Sequence, residues 1–176
     1  NAEGLTGFYD VVLLGNTVVM DLSSPETIWA NLTSKNRNMI RKAEKAGVSV
    51  FHGQFPQIYT TFRDIYTATM DADQAKAYYY FKDEFYDCIQ RDLSEESQIF
   101  WAERDGKIIA ASLMLSANGY MNYHLSGSRR EYWNIAPSNL LLYKAALWGS
   151  RNGCKSLHLG GGVGSTADSL YAFKHA

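Results

Sequence analysis

Residues 137–174 read P-S-N-L-L-L-Y-K-A-A-L-W-G-S-R-N-G-C-K-S-L-H-L-G-G-G-V-G-S-T-A-D-S-L-Y-A-F-K. They predict a helix, a glycine turn, a short strand, a glycine-rich loop and a second helix. Pro137 suits a first helical turn, where a missing N–H costs nothing. Leu141, Ala145 and Trp148 recur at helical spacing, and Leu140, Leu142, Ala146 and Leu147 widen the apolar stripe. Asn152-Gly153 is a stop signal, because glycine takes the left-handed cap conformation without a Cβ clash. Leu157 and Leu159 flank His158 in a strand that runs into Gly160-Gly161-Gly162. Glycines between a strand and a helix start let backbone approach a ligand closely and point N–H groups at it.

Upstream lies the clearest β region. Gln98–Arg104, Lys107–Ser116 and Tyr120–Ser126 are joined by Asp105-Gly106 and Ala117-Asn118-Gly119, which predicts an antiparallel meander. Gly127–Pro137 is expected to be a loop. Further upstream, Phe55–Met70 carries Ile58, Phe62, Ile65, Tyr66 and Met70 at helical spacing, and a helix through Phe85, Cys88 and Ile89 runs to Leu93. Tyr78-Tyr79-Tyr80-Phe81 between them packs as a loop on the core or walls a substrate. Asp71-x-Asp73 reads as a helix end, since no His or Cys stands near enough to complete a metal set. Ser34–Ala46 is a basic helix closed by Gly47, with Arg37, Arg41 and Lys45 four apart, Lys42 beside them, and Met39, Ile40 and Ala43 toward the core. That basic face is either solvated or turned to an anion, where arginine pairs phosphate through its planar fork. Val48–Phe51 is a short strand. At the start of the chain, Phe8–Leu14 and Thr17–Leu22 predict a hairpin about Gly15-Asn16. Ser23-x-x-Glu26 predicts a capping box with Pro25 in the first turn.

The chain of 176 residues suits one domain with a sizeable core. Seventeen Lys and Arg against 18 Asp and Glu leave a net charge of −1, so any nucleic-acid contact must be a local patch. Cys88 and Cys154 form neither a disulfide framework nor a zinc site, and they suit a reducing, cytoplasmic setting. No stretch approaches the roughly 18 apolar residues that span a bilayer. The opening at Asn1 rather than Met leads us to expect a piece of a longer protein. The glycine loop is not a P-loop, because G-x-x-x-x-G-K-[ST] is absent, and G-x-G-x-x-G fails at Ser165. His52, His124, His158 and His175 show no ligand spacing, so no metal site is expected. His124 and His158, on strands, serve as satisfied strand histidines or, if neighbours, one as a base.

Two separated stretches, in order along the chain, carry a family resemblance. One comprises Pro137-Ser138-Asn139-Leu140-Leu141, Gly153-Cys154-Lys155, Gly160-Gly161 and Leu170-Tyr171-Ala172-Phe173-Lys174. The other is Lys35–Ala43 followed by Lys45-Ala46-Gly47-Val48. From about Val18 onward the chain resembles the Fem-type (FemAB-like) peptidyltransferases, non-ribosomal enzymes that add amino acids to cell-wall precursors. It also resembles related acyltransferase domains of the GNAT (Gcn5-related N-acetyltransferase) superfamily. The resemblance implies an α/β (α+β) fold: a mixed, mostly antiparallel twisted sheet flanked by helices and splayed near Gly127 and Gly160. It implies transfer of an acyl or aminoacyl group to an amine such as a muropeptide precursor, at the cytoplasmic face of the inner membrane. In the family the lysine of the Phe-Lys pair stabilises the tetrahedral intermediate, and Lys174 after Phe173 matches it as the catalytic residue. The substrate-facing set expected around it is Arg37, Arg41, Lys42, Tyr123, Arg129, Arg130, Tyr132, Asn139, Gly160, Gly161, Gly162 and Phe173. The donor is aminoacyl-tRNA if the chain is Fem-like, or acyl-CoA if it is a CoA-dependent N-acyltransferase, with no tightly bound cofactor in either case. Where acetyl-CoA-binding relatives carry R/Q-x-x-G-x-G/A, this chain has Arg129, Arg130, Tyr132 and Trp133 and lacks the glycines; the Fem-type relatives share that departure. Fem-type enzymes carry two such domains, so a second GNAT-like domain is expected in the full-length protein. A third reading follows from this: a non-catalytic half that shapes its partner's substrate site.

Overall fold

The computed structural model describes residue 10 and residues 15–176. The expected strand Phe8–Leu14 falls outside the described residues except for Asp10. Six strands form one sheet: β1 (Val18–Asp21), β2 (Ser49–Gly53), β3 (Ser97–Arg104), β4 (Lys107–Ala117), β5 (Tyr120–Ser128) and β6 (Ser156–Gly160), in the order β1-β6-β5-β4-β3-β2. Every neighbouring pair is antiparallel except β5 with β6. The meander β3-β4-β5 is as the turns predict. Asp105 (φ 50°) and Gly106 (φ 72°) close one hairpin, Asn118 (φ 53°) and Gly119 (φ 79°) the other. Both central residues of each turn are left-handed, the twist that a two-residue hairpin requires.

Helices cover the sheet on both faces. On one lie α1 (Pro25–Asn31), α2 (Ser34–Lys45) and α5 (Pro137–Arg151); on the other lie α3 (Pro56–Ala72) and α4 (Asp83–Asp92). The apolar stripe of α5 does what its spacing predicts: Leu140, Leu141, Leu142, Ala145 and Ala146 are buried against Phe100, Met114, Met121, Leu157 and Leu159. Across the sheet Ile58, Phe62, Ile65 and Tyr66 of α3 meet Tyr86, Ile89, Ile99 and Leu113. Strand alternation supplies both cores, since successive side chains point to opposite faces.

Two local expectations are revised, the cap of α1 and the buried face of α2. Ser24, not Ser23, caps α1, its hydroxyl accepting from Thr27 N–H at 3.1 Å. Pro25 takes the first helical position, so the cap must be the residue before it. A second cap, Thr33, starts α2 afresh by accepting from Asn36 N–H at 3.2 Å. In α2 the buried positions are Asn36, Ile40 and Ala43, while Met39 is half-buried. The described part of the N-terminal run, β1, pairs antiparallel with β6.

The joint between β5 and β6 matters most for the site. They pair in parallel only over Tyr120–Asn122 and Ser156–His158, and then part. A bulge between Leu113 and Met114 shifts the β4-β5 register at the same level. The far end of β5 is drawn onto α3. A Cβ at Gly127 would lie 2.8 Å from the Ile65 carbonyl and 2.9 Å from Tyr66 Cα, so only glycine allows that approach. Thr69 Oγ1 clamps it, accepting from Ser128 N–H at 2.9 Å. The result is a sheet forked between β5 and β6.

Candidate functional site

At the fork β6 ends on Gly160, whose φ of 75° turns the chain sharply. A 3₁₀ turn, Val163–Ser165, leads to the short helix α6 (Ser169–His175). Asp168 fastens this connection. Its carboxylate accepts from Tyr171 N–H at 2.8 Å as the helix cap, and from Val163 N–H at 3.0 Å back across the loop. These donors, Tyr171 first, hold its carboxyl below the usual range. A Cβ at Gly162 would overlap the Thr166 carbonyl, so the loop folds this tightly only with glycine there.

Lys174 stands at the far end of α6 and reaches back to the fork. Its ammonium donates to the Gly161 carbonyl at 2.7 Å and lies 3.5 Å from where a Gly160 Cβ would be. Burial pulls the Lys174 pKa down, and the carboxylate of Asp168 partly restores it. The neighbouring Phe173 anchors the helix. It packs on the α5-side core and closes a crevice of about 10 Å³ with Met20, Leu32, Asn36, Ile40, Asn139, Leu142 and Tyr143. The Ala176 carbonyl accepts from Thr33 N–H at 2.7 Å, which ties the end of α6 to the start of α2. The structure thus brings Gly160, Gly161, Gly162, Phe173 and Lys174 together.

The other expected residues are spread more widely. Tyr123 lies on β5 just past the fork, on the α5 side, with the hydroxyls of Ser126 and Ser112 about its phenol; burial pushes its pKa up and those hydroxyls pull it back. Tyr132 is half-buried against the same core. Asn139 donates its amide to Asn36 Oδ1 at 2.9 Å, bridging α5 to α2. Arg129 reaches the Ile108 carbonyl at 3.0 Å, and Arg130 lies over the Trp133 ring at 5.5 Å. Arg37 turns onto the end of α1, donating to the carbonyls of Leu32 and, at 3.3 Å, Trp29. Arg41 covers the Trp29 ring at 5.3 Å, and Lys42 is exposed. Thus Arg37 and Arg41 both have work within the fold, and Lys42 points to solvent. His124 and His158 do not pair: His124 stacks on Phe85 at 6.1 Å, and His158 meets Asn122 at 3.1 Å.

Two contributors escaped the sequence reading. Asp168 shows only a weak cap signal, Asp168-Ser169 before an apolar pair. Asn36 gives none, because a polar residue within a basic helix reads as solvated. No group of acidic, His and Cys side chains suited to a metal occurs among the described residues. Among those residues no helix is long and apolar enough to cross a membrane.

Comparisons with known proteins agree with this fold. A search of curated proteins finds no match. Among solved structures, the crystal structure of FemX superposes with a TM-score of 0.76 at 14% identity, covering 90% of this chain and 57% of that one. The C-terminal domain of a putative lysylphosphatidylglycerol synthetase from Agrobacterium fabrum gives a TM-score of 0.64 at 15% identity, covering 84% of this chain and 46% of that one. L-PGS from Bacillus licheniformis gives 0.59 at 17% identity, covering 84% and 46%. The chain therefore spans about half the length of these structures, and at such identities the likeness is one of fold. The family model for the acetyltransferase (GNAT) domain matches residues 31–175, so the forked sheet with Lys174 at its mouth belongs to a member of the acetyltransferase (GNAT) domain family.

Proposed function

We propose that this domain transfers an acyl group, in the first place an aminoacyl group, to an amine, with Lys174 stabilising the reacting carbonyl. The observation that carries this reading is the Lys174 ammonium, held half-buried 2.7 Å from the Gly161 carbonyl at the open end of the β5-β6 fork. In such a transfer the amine nitrogen attacks the donor carbonyl, a C–N bond forms, and negative charge gathers on the carbonyl oxygen. The ester or thioester bond then breaks and the amine gives up its proton. A cation fixed where that oxygen charges acts strongly, because little water competes with it there. The contact with Gly161 is the resting position of the ammonium, and the side chain exchanges that carbonyl for the oxyanion.

The donor is read as aminoacyl-tRNA before acyl-CoA. The segment expected to cradle a pyrophosphate is a 3₁₀ turn, Arg130–Ile135, that uses its own backbone donors: Tyr132 N–H bonds Arg129 and Ala136 N–H bonds Trp133, each at 3.0 Å. Pro137 at the start of α5 removes a further donor. With those N–H groups committed, fewer backbone donors are left in this segment for a phosphate. The exposed charges of Arg129, Arg130 and Lys42 suit an RNA backbone instead. The acceptor is read as a cell-wall peptide precursor handled in the cytoplasm, with a second domain of the same kind in the full-length protein.

The test presents the full-length protein with charged tRNA or acetyl-CoA, a muropeptide precursor, and Lys174→Ala as control. The expected result is transfer from charged tRNA that falls by about a hundredfold in kcat in the variant, with KM for the acceptor nearly unchanged. Turnover from acetyl-CoA alone would replace the donor assignment. Equal rates in Lys174→Ala and wild type would refute the role of Lys174 and favour the substrate-shaping reading.

A further inference from the structure

On the α3/α4 side of the sheet, α4 ends at Asp92, and Leu93 just after it faces the paired stretch of β5 and β6 across a hollow. A recess of about 450 Å³ opens there, lined by Leu93, Glu96, Leu115, Ser116, Ala117, Tyr120, Met121, Asn122 and His158. It is far larger than the crevice under Phe173. Its walls are mainly apolar; Glu96 is the one acidic residue among those lining it, and no lysine or arginine lines it among the described residues. Asn122 and His158 form the last registered pair before the strands part. The Asn122 amide nitrogen lies 3.1 Å from His158 Nδ1 and donates to it. That contact orients the amide, and its oxygen has no other hydrogen bond among the described residues. Tyr120, 58% exposed, adds an aromatic face at the rim.

A carboxylate, a free amide oxygen and an aromatic face around an apolar hollow suit a protonated amine on a hydrocarbon stem. We propose that this recess binds the acceptor amine as an alkylammonium, Glu96 pairing its charge, Asn122 accepting from it and Tyr120 covering it. The assignment of the amine as acceptor rests on the acyl-transfer reading above. His158 stands two residues before Gly160 on β6, and Tyr120 lies opposite Ser156, four before it, so along the strand the recess spans about 7 to 13 Å from the Lys174 mouth. An amine on a flexible stem crosses that distance as it loses its proton and turns to the donor carbonyl.

The test is a titration of the protein with hexylamine, read by NMR on the Asn122, His158 and Tyr120 signals, beside hexanoate and hexanol. The expected result is weak binding of hexylamine, on the order of millimolar for so small a ligand. Binding should weaken about three- to tenfold in Glu96→Gln, as loss of a charge-assisted contact implies. Hexanoate and hexanol should bind less well, and Lys174→Ala should leave hexylamine affinity unchanged. Equal binding of hexanoate, or an unaltered affinity in a folded Glu96→Gln protein, overturns the proposal. Because the readout needs no donor, its failure is separable from that of the transfer reading. A protein that transfers acyl groups yet ignores hexylamine refutes the recess alone. One that binds hexylamine here but transfers from no donor refutes the reaction and the acceptor assignment, leaving an amine site.

Discussion

Lys174 keeps its charge where water is scarce, and that sets a pH dependence. Burial lowers its pKa, with Asp168 opposing. The ammonium therefore loses its proton below the free-lysine value of about 10.4. A rate that needs the ammonium declines as pH rises through that lowered value. Arginine keeps its proton throughout, so Lys174→Arg should lose some activity but shed this alkaline limb. Profiles of kcat against pH for both proteins check this, and the same limb in both would assign it to another group. The sign for stability follows from the same shift. Between the lowered folded value and the ordinary unfolded one, the unfolded chain binds more protons, so this group adds stability as pH rises through that window. The motif around Phe173-Lys174 was legible in the sequence because its glycines, aromatic residue and lysine fall in one short stretch of chain. Asn36 was not, since its burial depends on Asn139, at the start of another helix.

At the scale of the element, the fork depends on how closely β5 approaches α3. Gly127 permits it, and the atoms nearest an added Cβ include the Ile65 carbonyl and Tyr66 Cα, backbone atoms that cannot rotate away. Gly127→Ala should therefore cost about 1–3 kcal/mol, the usual range for overpacking. Denaturant unfolding should show a lower midpoint at unchanged slope. An unaltered midpoint would mean that α3 yields freely. The shift should also move Ser128 and the Arg130–Ile135 turn that follows it, since Trp133 bonds Ser128 Oγ at 2.8 Å. Helices and hairpins were legible at this scale because their signals are local: a capping hydroxyl, an Asp-Gly or Asn-Gly pair, a 3.6-residue stripe. The one-residue error at Ser23 arose where two adjacent serines offer the same chemistry and only Pro25 decides between them.

For the whole molecule, one sheet separates two cores, and stability is shared across it. Phe62 is fully buried on the α3 side and Leu141 on the α5 side. Phe62→Ala should cost about 3–5 kcal/mol and Leu141→Ala about 2–5 kcal/mol. Each should lower a single transition seen alike by far- and near-ultraviolet circular dichroism, because β3 and β4 contribute residues to both cores. Two separated transitions would show that the faces unfold independently. The exposed ion pairs, Arg63 with Asp83 and Lys144 with Glu44 among them, should matter little, as charges in water are screened.

The sequence by itself determined the order of elements, the meander and the glycine-rich exit from β6, since each is written in neighbouring residues. It also determined the family resemblance and, through it, the interest in Lys174. Tertiary structure decided which distant residues share a surface. Arg37 and Arg41, spaced as an anion-facing stripe, turn onto the end of α1 and the Trp29 ring because those partners lie within reach only after α1 and α2 fold back. Asn122 and His158, far apart in the chain, meet only because β6 returns parallel to β5. The recess beside them is lined from the segment after α4, from β4, from β5 and from β6, which meet only in the fold. Local signals are carried by backbone preference and side-chain periodicity, whereas a cavity depends on where several elements end relative to one another.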